Sequence, residues 1–180
     1  MYKIMTAGPT QVRENVRSAR SFVTTNPDLD ETFVDFYKET CELISELLET
    51  KNTAYILDGE GILGLEAACA SLTEPGDQVL VLDNGVYGKG FADFVTMYGG
   101  QVTFYEAPYT RALDVDAFRA YLKEHHDFKY ATLVHCDTPS GVLNPVEELS
   151  RALHEYGIMT IVDSVSAMFG EPLRVDEGQI

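Results

Sequence analysis

The chain has 180 residues, of which 45% are hydrophobic, so it is long enough for one globular domain with a substantial core. Its 29 acidic and 13 basic side chains give a net charge of −16, which argues against a nucleic-acid backbone or an anionic membrane surface as the main partner. The sequence contains no run of about 18 apolar residues and no signal-peptide core, so we expect a cytoplasmic protein.

The cysteines and histidines favour neither a disulfide framework nor a metal site. Cys41, Cys69 and Cys136 are far apart and form no C-x-x-C pair, so buried, reduced thiols are expected. His125 and His126 are adjacent and would point in different directions on a helix. We therefore expect no metal ion.

The first part of the chain predicts an arm followed by a helix. Residues 1–29 carry turn signals around a short predicted helix at 12–20, and we expect them to lie on a partner. From Asp30 to about Asn52, apolar residues recur at helical spacing with acidic residues between them. This pattern predicts an amphipathic helix.

From Thr53 to Val162, short apolar segments alternate with helical patterns. The predicted strands are 53–57, 79–82, 101–105, 130–134 and 158–162. The last helix before the final strand is expected to have Asn144 as its N-cap, Pro145 at its first position and Glu147 three residues after the cap. The alternation predicts an α/β fold, with a mostly parallel sheet and helices on both faces.

In such sheets, ligands bind outside the carboxyl ends of the strands. Gly59 and Gly61 precede a predicted helix, where backbone N–H groups can bind an anion, although glycines that merely permit a tight turn are an equal alternative. With Gly64 they also fit the G-x-G-x-x-G spacing, so a nucleotide-binding domain remains a rival hypothesis.

Three other strand ends carry side chains suited to a flat, cationic ring. Tyr87 lies between glycines and can stack on a ring or simply pack on its neighbours, and Thr138 offers a hydroxyl in a turn. Asp163 ends a buried strand, where a carboxylate is costly unless a cation or donor meets it. A protonated ring nitrogen would satisfy it, and capping of the next turn through Val165 or Ser166 is the alternative.

These motifs, in this order, resemble the class V branch of the pyridoxal-phosphate-dependent aminotransferases, the alanine-glyoxylate and serine-pyruvate group. The resemblance covers almost the whole chain. It rests on the following segments: Gly8-Pro9-Thr10, Gly59-Glu60-Gly61, Glu74-Pro75-Gly76-Asp77, 84–88, 135–145 and 162–166.

The resemblance implies a fold-type I large domain in truncated form, with an N-terminal arm at 1–29, an incomplete cofactor-binding domain at 30–180 and no C-terminal small domain. Backbone groups of Glu60, Gly61 and Ile62 would hold the phosphate of pyridoxal 5′-phosphate. Tyr87 would stack on the pyridine ring, and Thr138 would donate to its phenolic oxygen. The last roles implied are those of Asp163, which would pair with the ring N–H as a catalytic group, and Gly8, which would contact substrate.

Two departures from the family pattern stand out. Many relatives have a serine where this chain has Glu60, and a carboxylate beside a phosphate is electrostatically unfavourable. The lysine that forms the Schiff base lies downstream in the family, and no lysine of this chain is at a matching position. The chain alone is therefore expected to be inactive.

The resemblance implies a homodimeric enzyme that moves an amino group from a small amino acid, such as alanine or serine, to a 2-oxo acid, such as glyoxylate or pyruvate. An aminoethylphosphonate-type transaminase is the alternative within the family. The rivals outside it are a nucleotide-binding α/β domain and a non-enzymatic folding or dimerisation unit.

Overall fold

The computed structural model of the chain describes residues 2–6, 8, 10–22 and 26–180. Its helices are α1 (Glu14–Ala19), α2 (Glu31–Leu47), α3 (Gly61–Leu72), α4 (Val86–Met97), α5 (Val115–Leu122), α6 (Val146–His154) and α7 (Val175–Gly178). Its strands are β1 (Gln78–Asp83), β2 (Gln101–Glu106), β3 (Tyr130–Val134), β4 (Cys136–Asp137), β5 (Val142–Leu143) and β6 (Met159–Asp163).

A parallel sheet of order β2-β1-β3-β6 forms the centre of the fold. Its register aligns Val79 of β1 with Tyr130 of β3, and Val134 of β3 with Asp163 of β6. Because the strands are parallel, their polar carboxyl ends meet at one edge. The predicted α/β fold and the strands at 79–82, 101–105, 130–134 and 158–162 are confirmed.

The central strands β1 and β3 are buried on both faces, as continuous apolar strands predict, whereas the edge strands β2 and β6 keep exposed positions. Val79 and Val81 pack on one side with Phe91 and Val95 of α4 and Cys69 of α3. Leu80 and Leu82 pack on the opposite side, in a core to which α5 and α6 contribute Phe118, Leu122, Leu149 and Leu153. The alternation along β1 thus supplies two separate cores.

The predicted strand at 53–57 is wrong. The segment is extended, but its backbone bonds to side chains of α2 instead of to a strand: the Tyr37 hydroxyl bonds both the N–H and the carbonyl of Ile56, and Ser45 Oγ accepts the N–H of Ala54. Tyr55 is 77% exposed. A strand requires a neighbouring edge, and no described residue offers one to this apolar run.

The predicted N-cap of α6 is also wrong. The helix begins at Val146, its N-cap residue is Pro145, and no side chain caps it. The side chain of Asn144 is buried in the sheet edge, and Glu147 binds Arg174 near α7. The short hairpin of β4 and β5 and helix α7 have no counterpart in the sequence prediction.

The predicted arm contains α1, whose residues are all exposed. Its contact with a partner and the boundary between residues 29 and 30 stay predictions, although α2 begins nearby at Glu31. No helix in the described ranges is long and apolar enough to cross a membrane.

Candidate active site

A cavity of about 510 Å³ lies at the carboxyl edge of the sheet. Its lining includes every residue predicted to hold the cofactor: Glu60, Gly61, Ile62, Tyr87, Thr138 and Asp163. Gly8 is exposed and is not part of this lining, and Pro9 of the same motif lies outside the described residues. A second cavity of about 570 Å³ near His154 and Met159 contains none of the predicted site residues.

The first wall of the cavity is the start of α3. Glu60 is the N-cap residue, and its side chain makes no capping hydrogen bond. The first N–H groups of an α-helix have no partner within the helix, so those of Gly61 and Ile62 are available to a ligand. Gly61 permits a close approach to the loop after β6, because a Cβ there would lie 2.8 Å from Cγ2 of Val165.

The second wall is the start of α4, which carries Tyr87. The ring of Tyr87 is 49% exposed, and its backbone N–H donates to Oδ1 of Asp137 at 3.1 Å. Gly88 lets the helix sit directly on the end of β1, since a Cβ there would lie 2.7 Å from the carbonyl oxygen of Leu82. The tyrosine is thus a half-exposed ring on a tightly seated helix turn.

Thr138 reaches the cavity from the turn between β4 and β5. Its hydroxyl bonds that of Ser166, which lies on the loop after β6. Gly141 closes the turn with a φ of +71°, a conformation that glycine adopts without strain, and its N–H donates to the carbonyl of Asp137 at 2.8 Å. The turn therefore presents a hydroxyl next to the end of β6.

Asp163 is the carboxylate at the base of the cavity. It is 7% exposed, and Oδ1 accepts the N–H of Val165 at 2.9 Å. Burial raises the pKa of Asp163 above its usual value, the Val165 N–H acts in the opposite direction, and the negative charge of Asp137 raises the pKa further. Asp163 does cap the following turn, and its charge remains incompletely compensated.

His135 fixes the end of β6 from behind the cavity. Its backbone N–H donates to the carbonyl of Asp163 at 2.8 Å, and Nδ1 lies 3.0 Å from the hydroxyl of Ser164. Burial lowers the pKa of His135, although the charges of Glu171 and Glu147 oppose this shift. The lowered pKa favours the neutral imidazole, and the bonds of His135 to the Asp163 carbonyl and the Ser164 hydroxyl hold the strand end.

A buried amide pair joins the neighbouring strand ends. Asn144 Oδ1 accepts from Asn84 Nδ2 at 2.8 Å and from the N–H of Leu113 at 3.0 Å. Asn144 Nδ2 donates to the carbonyl of Val134 at 2.8 Å and to Asn84 Oδ1 at 3.2 Å. Every hydrogen-bonding position of the Asn144 amide is therefore used. Sequence reasoning missed this role because Asn-Pro-x-Glu is also typical of a helix start.

The glycine spacing does not form a dinucleotide-binding fingerprint. That motif requires a strand before the first glycine, and 53–57 is not a strand. Its third glycine normally permits close packing between helix and strand, whereas a Cβ at Gly64 would meet no atom within 4 Å. Within the described parts of the chain, no group of His, Cys, Asp or Glu residues is arranged to hold a metal ion.

The sequence model of the aminotransferase class-V family matches residues 7–180. This chain belongs to the class V aminotransferase family. The resemblance inferred from the motifs is confirmed, and with it the fold-type I architecture. The enzymes of this family use pyridoxal 5′-phosphate as their cofactor.

Several class V aminotransferases are similar over nearly the whole chain. A pyridoxamine–pyruvate transaminase of Mesorhizobium japonicum is 37% identical over 166 residues, 92% of this chain and 42% of that protein. A 2-aminoethylphosphonate–pyruvate transaminase of Salmonella paratyphi B is 28% identical over 97% of this chain and 48% of its own. The crystal structure of pyridoxamine-pyruvate aminotransferase from Mesorhizobium loti matches 99% of this chain with a TM-score of 0.91 and 34% identity, over 45% of that chain. This chain thus spans just under half the length of these relatives.

The cavity suits the ring of the class V cofactor better than its phosphate. A buried carboxylate, a half-exposed aromatic ring and a hydroxyl converge on it, as a protonated pyridine ring requires. The charged residues among its described lining are Glu60, Asp93 and Asp163, all of them acidic, with no lysine or arginine. A phosphate at the start of α3 would meet helix N–H groups but also the carboxylate of Glu60.

Proposed function

We propose that this chain forms the cofactor-binding part of a pyridoxal-phosphate-dependent transaminase. The enzyme would transfer an amino group from a small amino acid, of the alanine or serine type, to a 2-oxo acid such as pyruvate or glyoxylate. The observation that carries the proposal is the buried, incompletely compensated carboxylate of Asp163 at the base of the cavity. A group of this kind gains most from a cationic partner.

Each of the predicted cofactor-binding groups would have a separate role. Asp163 holds a proton on the ring nitrogen, Tyr87 covers one face of the ring, and Thr138 donates to its phenolic oxygen. The first N–H groups of α3 orient the side arm of the ring. When bound, the protonated ring serves as the electron sink for the charge that develops as the substrate loses its α-proton.

The described lining of the cavity contains no lysine. The base that accepts the α-proton would therefore come from another part of the protein, and this chain by itself would hold the ring without completing the reaction.

We also propose that the protein is a cytoplasmic homodimer. In support, Tyr55 is 77% exposed and Phe36 61% exposed, apolar surface that a second subunit would cover. Its cysteines are unpaired, as cytoplasmic proteins favour.

The test uses the full-length protein. Titration with pyridoxal 5′-phosphate, followed by absorbance and by the circular dichroism induced in the cofactor band, is expected to saturate. Alanine with glyoxylate is then expected to give pyruvate and glycine, and serine with pyruvate to give hydroxypyruvate and alanine, measured as the new amino acid. A full-length protein that gives no saturable signal with any ring compound would contradict the proposal.

A second candidate function is transamination in which unphosphorylated pyridoxamine is the amino donor and pyruvate the acceptor. Glu60 favours it, because a carboxylate repels a phosphate but tolerates the neutral hydroxymethyl group that pyridoxamine has in the same place. The 37% identical relative, which is named a pyridoxamine–pyruvate transaminase, also supports it. The ring would then enter as a substrate.

Parallel assays of pyridoxamine and pyridoxamine 5′-phosphate with pyruvate separate the two candidates. If the second is correct, pyridoxamine has the higher kcat/KM, and added phosphate compounds inhibit weakly. A higher kcat/KM for the phosphorylated amine would exclude it. The aminoethylphosphonate alternative has a 28% identical relative in its favour, and the anionic phosphonate group of its substrate would meet the same acidic lining.

A further inference from the structure

Asp137 is a buried carboxylate that has no task in the scheme above. Its side chain is 1% exposed and does not line the cavity. Oδ1 accepts the N–H of Tyr87 at 3.1 Å, and Oδ2 accepts both the N–H and the hydroxyl of Ser140, at 3.2 and 2.8 Å. A carboxylate is buried at a cost unless donors surround it, so these bonds determine how the adjoining loops lie.

The bond to Tyr87 replaces a helix cap that α4 lacks. Gly85 is the N-cap residue and has no side chain to accept an N–H of the first turn. Asp137 reaches that turn from another element and accepts the N–H of the second helical residue. The fit is tight, because a Cβ at Gly85 would lie 2.4 Å from Cγ of Asp137. The carboxylate thereby fixes the turn that carries the Tyr87 ring.

The bonds to Ser140 close the turn that carries Thr138. Ser140 directs two donors to Oδ2, and the Asp137 carbonyl accepts the N–H of Gly141. Thr138 lies between these anchors, with its hydroxyl on Ser166. One carboxylate therefore ties together two loops, each of which supplies one side chain to the cavity.

We propose that Asp137 is a positioning residue that holds Tyr87 and Thr138 in place against the ring without touching it. The inference rests on the proposed function, because the ring is what these two side chains contact. Oδ1 of Asp137 binds the Tyr87 loop and Oδ2 binds the Thr138 turn. Substitutions that remove the bonds to both loops and substitutions that remove the bonds to one loop are therefore expected to have different effects.

The test compares Asp137→Ala, Asp137→Asn and Ser140→Ala in the full-length protein. Alanine removes every bond of the carboxylate, and asparagine can accept the N–H of only one of the two loops because its amide has a single oxygen. Ser140→Ala removes the bond of its hydroxyl to Oδ2 and the longer bonds of that hydroxyl with the Asp137 carbonyl and the Val142 N–H, all on the Thr138 side. The measurements are the dissociation constant for pyridoxal 5′-phosphate, the induced circular dichroism of the bound ring and hydrogen exchange in residues 84–91 and 92–98.

For Asp137→Ala we expect binding weakened about tenfold or more and a reduced induced signal, because a misplaced stacking ring loses its alignment. Exchange is expected to accelerate in residues 84–91 and not in 92–98. For Ser140→Ala we expect binding weakened about threefold with unchanged exchange in 84–91, and for Asp137→Asn an intermediate loss. A purely structural role would lower the melting temperature and leave the induced signal of the bound ring unchanged.

Unchanged binding and induced signal in Asp137→Ala would overturn the inference. If that variant does not fold, Asp137→Asn and Ser140→Ala decide: weakened binding at a wild-type melting temperature supports the inference, and wild-type binding in both overturns it. If the unmutated protein binds no ring compound, the proposed function fails. The exchange of residues 84–91 then still shows whether Asp137 holds the Tyr87 turn.

Discussion

Two buried polar side chains at the same sheet edge, Asn144 and Asp163, differ in how far the protein itself satisfies them. Asn144 makes four hydrogen bonds to protein groups and has none left to offer. Among the described residues Asp163 has one donor, the N–H of Val165, and its pKa is raised by burial. The first side chain can only hold strands together, whereas the second leaves a charge for something outside the chain to meet.

The largest expected effect is that of Asn144 on the free energy of unfolding. Asn144→Ala removes four hydrogen bonds and leaves the Leu113 N–H and the Val134 carbonyl without their partner, so we expect a loss of about 3 kcal/mol in unfolding free energy. Urea unfolding measures it. Asn52→Ala, at an exposed asparagine, is the matched control and is expected to change the unfolding free energy by less than about 0.5 kcal/mol. An equal loss in both variants would contradict the assignment.

The next largest expected effect is that of Asp163 on the binding of the ring. Asp163→Asn keeps the acceptor for the Val165 N–H but removes the charge, and we expect ring affinity in the full-length protein to fall about a hundredfold. Asp93→Asn removes the same charge from an exposed position of the same cavity and is expected to leave affinity nearly unchanged. Equal losses would mean that overall charge, and not the place of Asp163, controls binding.

The same substitution is expected to stabilise the unliganded protein at neutral pH. Because the folded pKa of Asp163 is raised, the folded state binds its proton more tightly than the unfolded state does, and stability falls as pH rises from the ordinary carboxyl pKa of about 3.9 through the raised value. Asp163→Asn removes that loss. Melting temperatures of the two proteins should converge at acid pH, and a less stable variant at pH 7 would contradict this account.

A smaller effect is expected at Glu60, where the charge is exposed. Glu60→Gln should increase affinity for pyridoxal 5′-phosphate about fivefold at low salt, with less gain at high salt, because the repelling charge is removed and solvent screens it. Affinity for unphosphorylated pyridoxamine should not increase. Asp58→Asn changes a nearby exposed charge outside the cavity lining and serves as the control. A gain for both ring compounds would rule out a specific effect on the phosphate.

The sequence predicted those parts of the fold that depend on pattern. Strands β1, β2, β3 and β6 are continuous apolar or alternating segments, and each was predicted within a residue or two. The segment at 53–57 has the same pattern but no neighbouring strand edge in the part of the chain that the structure describes, and a periodicity cannot reveal whether a partner strand exists. Asn144 shows a different error. Its sequence context is typical of a helix N-cap, but its side chain bonds a buried network at the sheet edge instead of the helix.

The site residues that follow correctly predicted strands could be predicted from the sequence. Parallel strands bring their carboxyl ends together, so side chains distant in sequence, such as Tyr87 and Asp163, were expected to meet and line one cavity. Their roles toward a ring stay predictions. Asp137 could not be found in this way, because its sequence context indicates only a turn, which accounts for its bonds to Ser140 but not for its bond to the backbone of the separate Tyr87 loop.

The smallest expected effect concerns Asp83, a third carboxylate at the edge. The Tyr109 hydroxyl donates to it at 2.6 Å, and this bond raises the pKa of Tyr109 to about 12. Tyr109→Phe should lower the free energy of unfolding by less than about 1 kcal/mol, because the hydroxyl is near the surface.

The stabilisation by the Tyr109–Asp83 bond is present below the ordinary tyrosine pKa of about 10 and is lost as pH rises through the raised value, so the variant and the unmutated protein should become equally stable in strong alkali. Absorbance at alkaline pH should show one fewer late-titrating phenol in Tyr109→Phe. If the phenol lost in Tyr109→Phe instead titrates with the ordinary tyrosines, the bond from Tyr109 to Asp83 does not form, and Asp83 keeps only the Lys89 ammonium, 3.9 Å away, as its described charged partner.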